Sequence, residues 1–207
     1  MAVTGRRENH MMDSLARVVV IGPESTGKSS LSERLASHYG TCWCPEYARA
    51  YLHERGTDYG YESLLEIARG QLELEDRHAR KAYSEWASSP TQSRTPRPLL
   101  FIDTDMYVMK VWCEFVFGKC HPWILDRIAE RSYDLYLLCH TDLPWVQDDL
   151  REYPDPSTRM ELFRIYRDHM ANQPVPWADI LGSHDERLQA AVGAVDAMLS
   201  KTEQPPV

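Results

Sequence analysis

The chain has 207 residues, 43% apolar and 26% charged, with 23 Lys and Arg against 31 Asp and Glu for a net charge of −8. That is the make-up of one ordinary globular α/β domain with little length left for a second. No basic run interleaved with aromatics marks a nucleic-acid partner, no long uncharged apolar window suits a membrane span, and residues 1–13 lack the apolar core of a signal peptide. The expectation is a cytoplasmic protein with a small-molecule ligand, and an acidic surface mildly attracts a cationic one.

Taken in order, residues 1–15 read as a flexible extension, residues 16–200 as a single domain and residues 201–207 as a polar tail. Arg17-Val-Val-Val-Ile21 is an apolar run fit for a buried strand. It delivers the chain into Gly22-Pro-Glu-Ser-Thr-Gly27-Lys28-Ser29, the spacing of a Walker A loop. Glycines there let the backbone curl its N–H groups inward onto an anion. The lysine adds a point charge near the β- and γ-phosphates, and the serine hydroxyl supplies a ligand for Mg²⁺. The following segment reads as a helix to Tyr39, with Leu31 and Leu35 on one face and Gly40 at its end. Its N-terminal partial charge also points at the phosphates. Gly22, Glu24, Ser25, Thr26, Gly27, Lys28, Ser29 and Ser30 are therefore the expected nucleotide-binding set, for ATP or GTP with Mg²⁺.

Residues 41–44 form a short β-prone run ended by Pro45, and a helix begins at Glu46. Residues 61–87 read as a long helix with an inward stripe of Leu65, Ala68, Leu72, Ala79, Ala82 and Trp86. The three prolines of residues 88–98 predict a mobile loop within the domain. Residues 99–103 and 134–139 are continuous apolar runs, as expected of strands buried on both faces, and residues 175–181 are a weaker strand interrupted at Pro176. A closing helix from His184 carries Leu188, Ala191, Val192, Val195 and Leu199 on one side. Strands alternating with helices predict a doubly wound, mainly parallel sheet in a three-layer α/β fold of the P-loop NTPase type. The ligand then lies at the carboxyl ends of the strands, where Gly22, Cys44, Asp103 and Cys139 emerge.

Asp103 closes its strand at the Walker B position and is expected to hold Mg²⁺ with Ser29. Thr104 and Asp105 follow it, where many ATP-driven motors carry a water-activating Glu. That pattern favours transfer to a bound acceptor over bare ATP hydrolysis. Glu46, leaving a strand beside the loop, either accepts a proton from a hydroxyl or bonds a sugar, or else stabilises its helix N-terminus. Arg49 is placed to anchor Glu46, Asp103 or a phosphate, or to form a plain i,i+3 pair. Residues 140–160 form a polar lid region whose Arg151 would reach the developing charge, with Arg159 beyond. Trp43, Tyr47, Tyr107, Trp112 and Trp145 crowd the same rim, and a planar cationic ring would gain most from stacking there. Arg187 is a candidate adenine contact. The odd count of five cysteines predicts reduced thiols. A zinc site built from Cys42, Cys44, Cys113, Cys120 and His121 matches no standard spacing.

The loop, Pro45-Glu46-Tyr47-Ala48-Arg49, Phe101-Ile102-Asp103-Thr104-Asp105, Tyr133 to Leu138, and Trp145-Val146 with Asp148-Asp149-Leu150-Arg151 together resemble the ribosylnicotinamide kinase domain of NadR-type proteins, over nearly the whole chain. The resemblance implies a kinase related to nucleoside and thymidylate kinases. Such an enzyme moves the γ-phosphate of ATP to the 5′-hydroxyl of nicotinamide riboside, giving nicotinamide mononucleotide in NAD salvage. It implies catalytic roles for Lys28, Glu46, Asp103 and Arg151, with Glu46 or Asp103 deprotonating the hydroxyl. Glu46, Tyr47, Arg49, Asp105 and Trp112 would bind the acceptor. Multidomain relatives add a nucleotidyltransferase and sometimes a helix-turn-helix; 207 residues predict the kinase alone. Another nucleoside or nucleotide kinase on this scaffold, or a regulatory ATPase, is the alternative. One departure stands out: Asp149 occupies a lid position usually held by Gly, which predicts a left-handed backbone there.

Overall fold

The computed structural model describes residues 14–88 and 94–201. The expectations for residues 1–13, 89–93 and 202–207 lie outside it.

Five parallel strands form one sheet in the order β2-β3-β1-β4-β5: β1 (Ala16–Ile21), β2 (Trp43–Cys44), β3 (Leu99–Asp103), β4 (Leu135–Cys139) and β5 (Trp177–Ile180). Every neighbouring pair is parallel. The helices are α1 (Lys28–Tyr39), α2 (Tyr47–Arg55), α3 (Tyr61–Ser88), α4 (Met106–Phe117), α5 (Pro122–Glu130), α6 (Pro156–Asn172) and α7 (His184–Lys201). This is the three-layer, doubly wound architecture expected.

The apolar runs are continuous because both faces of the sheet are covered. Val18, Val20, Phe101, Leu135 and Leu137 face α1 and α7, packing on Leu31, Leu35, Ala191 and Val195. Val19, Ile21, Leu100, Ile102 and Leu138 face the other way, onto Val108 and Val111 of α4 and Leu162, Phe163 and Tyr166 of α6. Each such fully buried side chain contributes roughly 1.5–3 kcal/mol, so the centre of the sheet is the rigid platform. A third cluster joins α2, α3, α4 and α5 through Leu52, Leu64, Ile67, Met109 and Ile124.

Several boundaries differ from the sequence reading. β2 is only two residues long, because Thr41 turns its hydroxyl onto the Leu99 carbonyl at 2.6 Å instead of extending the ladder. β5 begins after Pro176, whose carbonyl still accepts from Tyr136. The inward face of α3 runs through Leu64, Ile67, Gln71 and Glu75, whereas Leu65 and Trp86 are only half-buried. Gln71 and Glu75 are buried without penalty because they are bonded. Gln71 accepts from the Tyr47 amide at 2.7 Å, and Glu75 accepts from Arg131 at 2.8 Å and Tyr133 at 3.0 Å.

β1 lies between β3 and β4, and the chain leaves to opposite sides there. The crevice at its carboxyl end is the topological switch point where open α/β sheets bind ligands.

Candidate active site

β1 ends at Ile21 and the loop begins with Gly22 at φ 139°. A Cβ there would stand 2.7 Å from the Cys139 carbonyl oxygen, so only glycine lets the loop pass the end of β4. Gly27, at φ 79°, turns the chain into α1, whose first amides have no partner within the helix. These amides, with the dipole of α1, make an anion site. Lys28 folds back over the loop, its Nζ donating to the Pro23 carbonyl at 2.9 Å. Ser29 donates its hydroxyl to Asp103 Oδ2 at 2.5 Å.

Asp103 is fully buried at the end of β3. Burial, and then the neighbouring Glu46 carboxylate, push its pKa up to about 6, against the pull of Lys28 and the Ser29 hydroxyl. A hydroxyl and a carboxylate this close are hard oxygen donors. They suit a small cation that keeps most of its water and shares phosphate oxygens, which is how Mg²⁺ binds. Among the described residues no cluster of three or more His, Cys, Asp or Glu could cage a metal, and all five cysteines are free thiols.

A cavity of about 310 Å³ opens from the phosphate loop. Glu46, Arg49, Tyr59, Trp112 and Phe115 line it together with Arg151, Glu152 and Tyr153 of the lid and Leu162 and Tyr166 of α6. Glu46 is the N-cap of α2, and its side chain stands free of the cap. Arg49 lies 3.9 Å from Glu46 and donates to Asp148 of the lid at 3.0 Å. The aromatic wall is fixed by a chain of bonds. Trp112 Nε1 donates to the Tyr59 hydroxyl at 3.0 Å, and that hydroxyl donates to Glu152 at 2.8 Å.

The lid is tied to the loop itself. Glu24 Oε2 accepts from the Glu152 and Tyr153 amides at 2.9 and 3.2 Å, and Ser25 Oγ accepts from the Val146 amide at 2.9 Å. Arg151 reaches Ser25 Oγ at 3.4 Å. Burial raises the Glu24 pKa despite these bonds.

The loop residues, Glu46, Arg49, Trp112 and Arg151 thus come together around one cavity, and Asp103 joins them from behind through Ser29 without lining it. Three expected site residues do not. Asp105 is buried as the N-cap of α4, its Oδ1 accepting from the Tyr107 and Val108 amides and its Oδ2 from the Tyr136 hydroxyl at 2.9 Å, so no acceptor oxygen faces the cavity. Tyr47 packs its ring on the backbone of α3 at Gly70, where a Cβ would come within 2.1 Å of the ring. Arg187 is buried behind the loop with its donors used by carbonyls and Asp142, and does not line the cavity. Of the other aromatics, Trp43 and Tyr107 pack against the core and Trp145 lies under Arg159. Asp149 is not left-handed; among the described non-glycine residues only Ser25 and Thr104 have positive φ. Asp148 Oδ1 accepts from the Leu150 amide at 3.0 Å, an Asx-type turn that carries the chain round without αL geometry at Asp149. The sequence reading missed Tyr59, Phe115, Glu152 and Tyr153, which carry no motif and come from loops and helices far apart in the chain.

The described residues hold no helix long and apolar enough to cross a membrane. Among solved structures, the chain is similar to a NadR protein crystallised in complex with NR, with a TM-score of 0.72 at 20% identity over 99% of this chain and 58% of that one. It is similar at lower level to the thymidylate kinase of Ehrlichia chaffeensis, with a TM-score of 0.55 at 13% identity over 89% of this chain and 99% of that one. These likenesses establish the fold, a doubly wound parallel sheet with the phosphate loop at its centre. In sequence the chain is homologous to the trifunctional NAD biosynthesis/regulator protein NadR, 26% identical to that of Escherichia coli K12 and 31% to that of Salmonella typhimurium LT2, each over 189 residues. The match covers 89% of this chain and 43% of either relative, so the chain spans less than half their length. Residues 17–187 match the family model described as an AAA domain, and the chain belongs to that family.

Proposed function

We propose that the protein is an ATP-dependent kinase that phosphorylates the 5′-hydroxyl of nicotinamide riboside, giving nicotinamide mononucleotide for NAD synthesis. The observation that carries this reading is the cavity joined to the phosphate loop, lined by Glu46 and by the hydrogen-bonded pair of Tyr59 and Trp112. The homology to NadR, and the likeness to a NadR structure holding NR, support that acceptor. Four carboxylates line the cavity, those of Glu24, Glu46, Asp149 and Glu152, against three cations, Lys28, Arg49 and Arg151, of which Arg49 is already paired with Asp148 of the lid. That balance disfavours an anionic acceptor such as a nucleoside monophosphate and suits a cationic pyridinium ring beside aromatic faces.

In this reading the loop amides and Lys28 hold the β- and γ-phosphates. Ser29 and Asp103 would hold Mg²⁺, which when bound neutralises charge on the phosphate oxygens. Glu46 lines the cavity and Asp103 lies buried behind Ser29, so Glu46 is the carboxylate that takes the 5′-hydroxyl proton. Arg151 closes over the transferring group from the lid. The protein's work is positioning and charge compensation, since phosphoryl transfer asks for little covalent chemistry.

The test is to incubate the purified protein with Mg-ATP and a panel of nucleosides, following ADP release and product mass. ADP formed with nicotinamide riboside and a product heavier by one phosphoryl group support the proposal. ADP formed equally without acceptor marks an ATPase and refutes it; turnover with a different nucleoside alone refutes the acceptor and leaves the kinase.

A further inference from the structure

The loop amides can meet a phosphate only if the loop carbonyls face the other way. In a trans peptide the C=O of one residue and the N–H of the next are antiparallel, so whatever holds a carbonyl also aims the following amide. Consecutive loop carbonyls are held from behind by two buried arginines on different helices. Arg187 of α7, 2% exposed, donates to the Thr26 carbonyl at 2.9 Å. Its remaining donors go to the Gly182 carbonyl at 2.8 Å, the His140 carbonyl at 2.9 Å and the Asp142 carboxylate. Asp142 in turn accepts from the Gly182 amide at 2.6 Å, so one guanidinium joins the loop to the ends of β4 and β5. Arg159 of α6, 5% exposed, donates to the Ser25 carbonyl at 3.2 Å and to the Leu143 carbonyl at 3.4 Å. Between these anchors Ser25 sits at φ 55°, a left-handed conformation that costs a serine roughly 1–2 kcal/mol and needs something to hold it.

We propose that Arg187 and Arg159 are positioning residues for nucleotide binding, fixing the Thr26 and Ser25 carbonyls outward and so aiming the Gly27 and Thr26 amides at the β- and γ-phosphates. Arg187 acts wholly through the loop. Its four hydrogen bonds all go to the protein, and it is buried away from the cavity, so it does not reach the nucleotide itself. The pairing with Asp142 lets a buried cation do this without an unmatched charge.

The experiment compares Arg187→Lys with the unaltered protein by calorimetric titration of Mg-AMP-PNP, without acceptor, and by steady-state kinetics. An ammonium is a single point with three donors and cannot span the four acceptors that the planar guanidinium holds together. The expected result is a Kd for Mg-AMP-PNP and a KM for ATP each raised about tenfold, with the KM for the nucleoside unchanged within about twofold. Arg159→Lys, with its longer bonds, is expected to raise both nucleotide constants about threefold. A role confined to stability would lower the melting temperature and the active fraction while leaving the Kd of the folded protein alone. A folded Arg187→Lys protein with unaltered Kd therefore overturns the proposal. Should that variant not fold, Asp142→Asn carries the same test: it keeps Arg187 and weakens its anchor, so an unaltered Kd there overturns the proposal equally. The proposal rests on nucleotide binding at the loop and not on the acceptor. Normal AMP-PNP binding without phosphorylation of nicotinamide riboside would sink the functional reading and leave this one standing.

Discussion

Glu24→Ala removes the carboxylate that joins the lid to the phosphate loop. Two backbone amides, those of Glu152 and Tyr153, lose an acceptor at 2.9 and 3.2 Å. A hydrogen bond to a charged partner nets about 1.5–3 kcal/mol, and amides that can turn to water recover part of that. The pair is then worth about 1–3 kcal/mol, which moves the balance between closed and open lid about 5- to 150-fold. The Val146 amide keeps its bond to Ser25 Oγ, so the lid loosens without leaving. Because the Glu152 side chain also holds Tyr59, and Tyr59 holds Trp112, the aromatic wall of the cavity loosens with it. Hydrogen exchange at residues 146–153 should quicken at least about fivefold, and kcat should fall about tenfold. The affinity for Mg-AMP-PNP should stay within about threefold, since the loop amides and Lys28 are untouched. Glu24→Gln retains one carbonyl oxygen as acceptor and should fall between the two. Unaltered exchange across residues 146–153 in Glu24→Ala would refute the latch.

Asp103→Asn should cost about a hundredfold in turnover, by loss of the carboxylate that would hold Mg²⁺ with Ser29. It should nonetheless melt no lower than the unaltered protein at pH 8, because a buried carboxylate repelled by Glu46 becomes neutral. A large fall in both activity and melting temperature would argue against this assignment. Asp105 carries a pKa pushed up to about 7 by burial, above the usual 3.8. The folded state therefore binds the proton more tightly, and stability falls as pH rises from about 4 through 7. Asp105→Asn, which can still cap α4, should flatten that part of the pH–stability curve and keep kcat/KM within about twofold; a loss of acceptor affinity would return Asp105 to the site. Gly70→Ala should destabilise the protein by about 1–2 kcal/mol, because its Cβ would meet the Tyr47 ring at 2.1 Å. In a Tyr47→Ala background the same change should stabilise by about 0.5–1 kcal/mol through helix propensity alone, a reversal of sign that thermal melts of the four proteins would reveal.

What the residues disclose in advance follows from how local the physics is. β1, β3 and β4 are legible because a strand covered on both faces has no polar side to show, and Gly40 is legible because the left-handed end of α1 requires it. The Ser29–Asp103 pair is legible because a strand–loop–helix motif and a strand-ending acid each carry their own signal, 74 positions apart. α3 hides its inward face, since Gln71 and Glu75 break the apolar stripe and are satisfied by Tyr47, Arg131 and Tyr133, partners that periodicity cannot see. Asp105 misleads for the opposite reason. An acid beside a Walker B residue looks chemical, yet its position before Met106 also makes it a helix cap, and the cap prevails once Tyr136 closes over it. Of the cavity wall Trp112 is legible and the rest is not: Phe115 lies a turn further along α4, and Tyr59 and Tyr153 join from loops at no fixed spacing from it.

The loop interior shows why its sequence is more informative than its glycines and lysine alone. Phosphate contact needs only amides there, and any residue but proline supplies one. The side chains at these positions point elsewhere: Glu24 to the lid amides, Ser25 to Val146 and Arg151, and Thr26 back to the Pro23 carbonyl at 2.8 Å. The carbonyls of Ser25 and Thr26 go to Arg159 and Arg187. The identities of Glu24 and Ser25 are therefore matched to the lid, and that of Thr26 to the loop's own turn, and not to the nucleotide, while α6 and α7 hold the loop by its backbone. A loop with Gly22, Gly27, Lys28 and Ser29 but no Glu24 or Ser25 would still cradle a triphosphate, and nothing would then couple that event to closing the acceptor cavity.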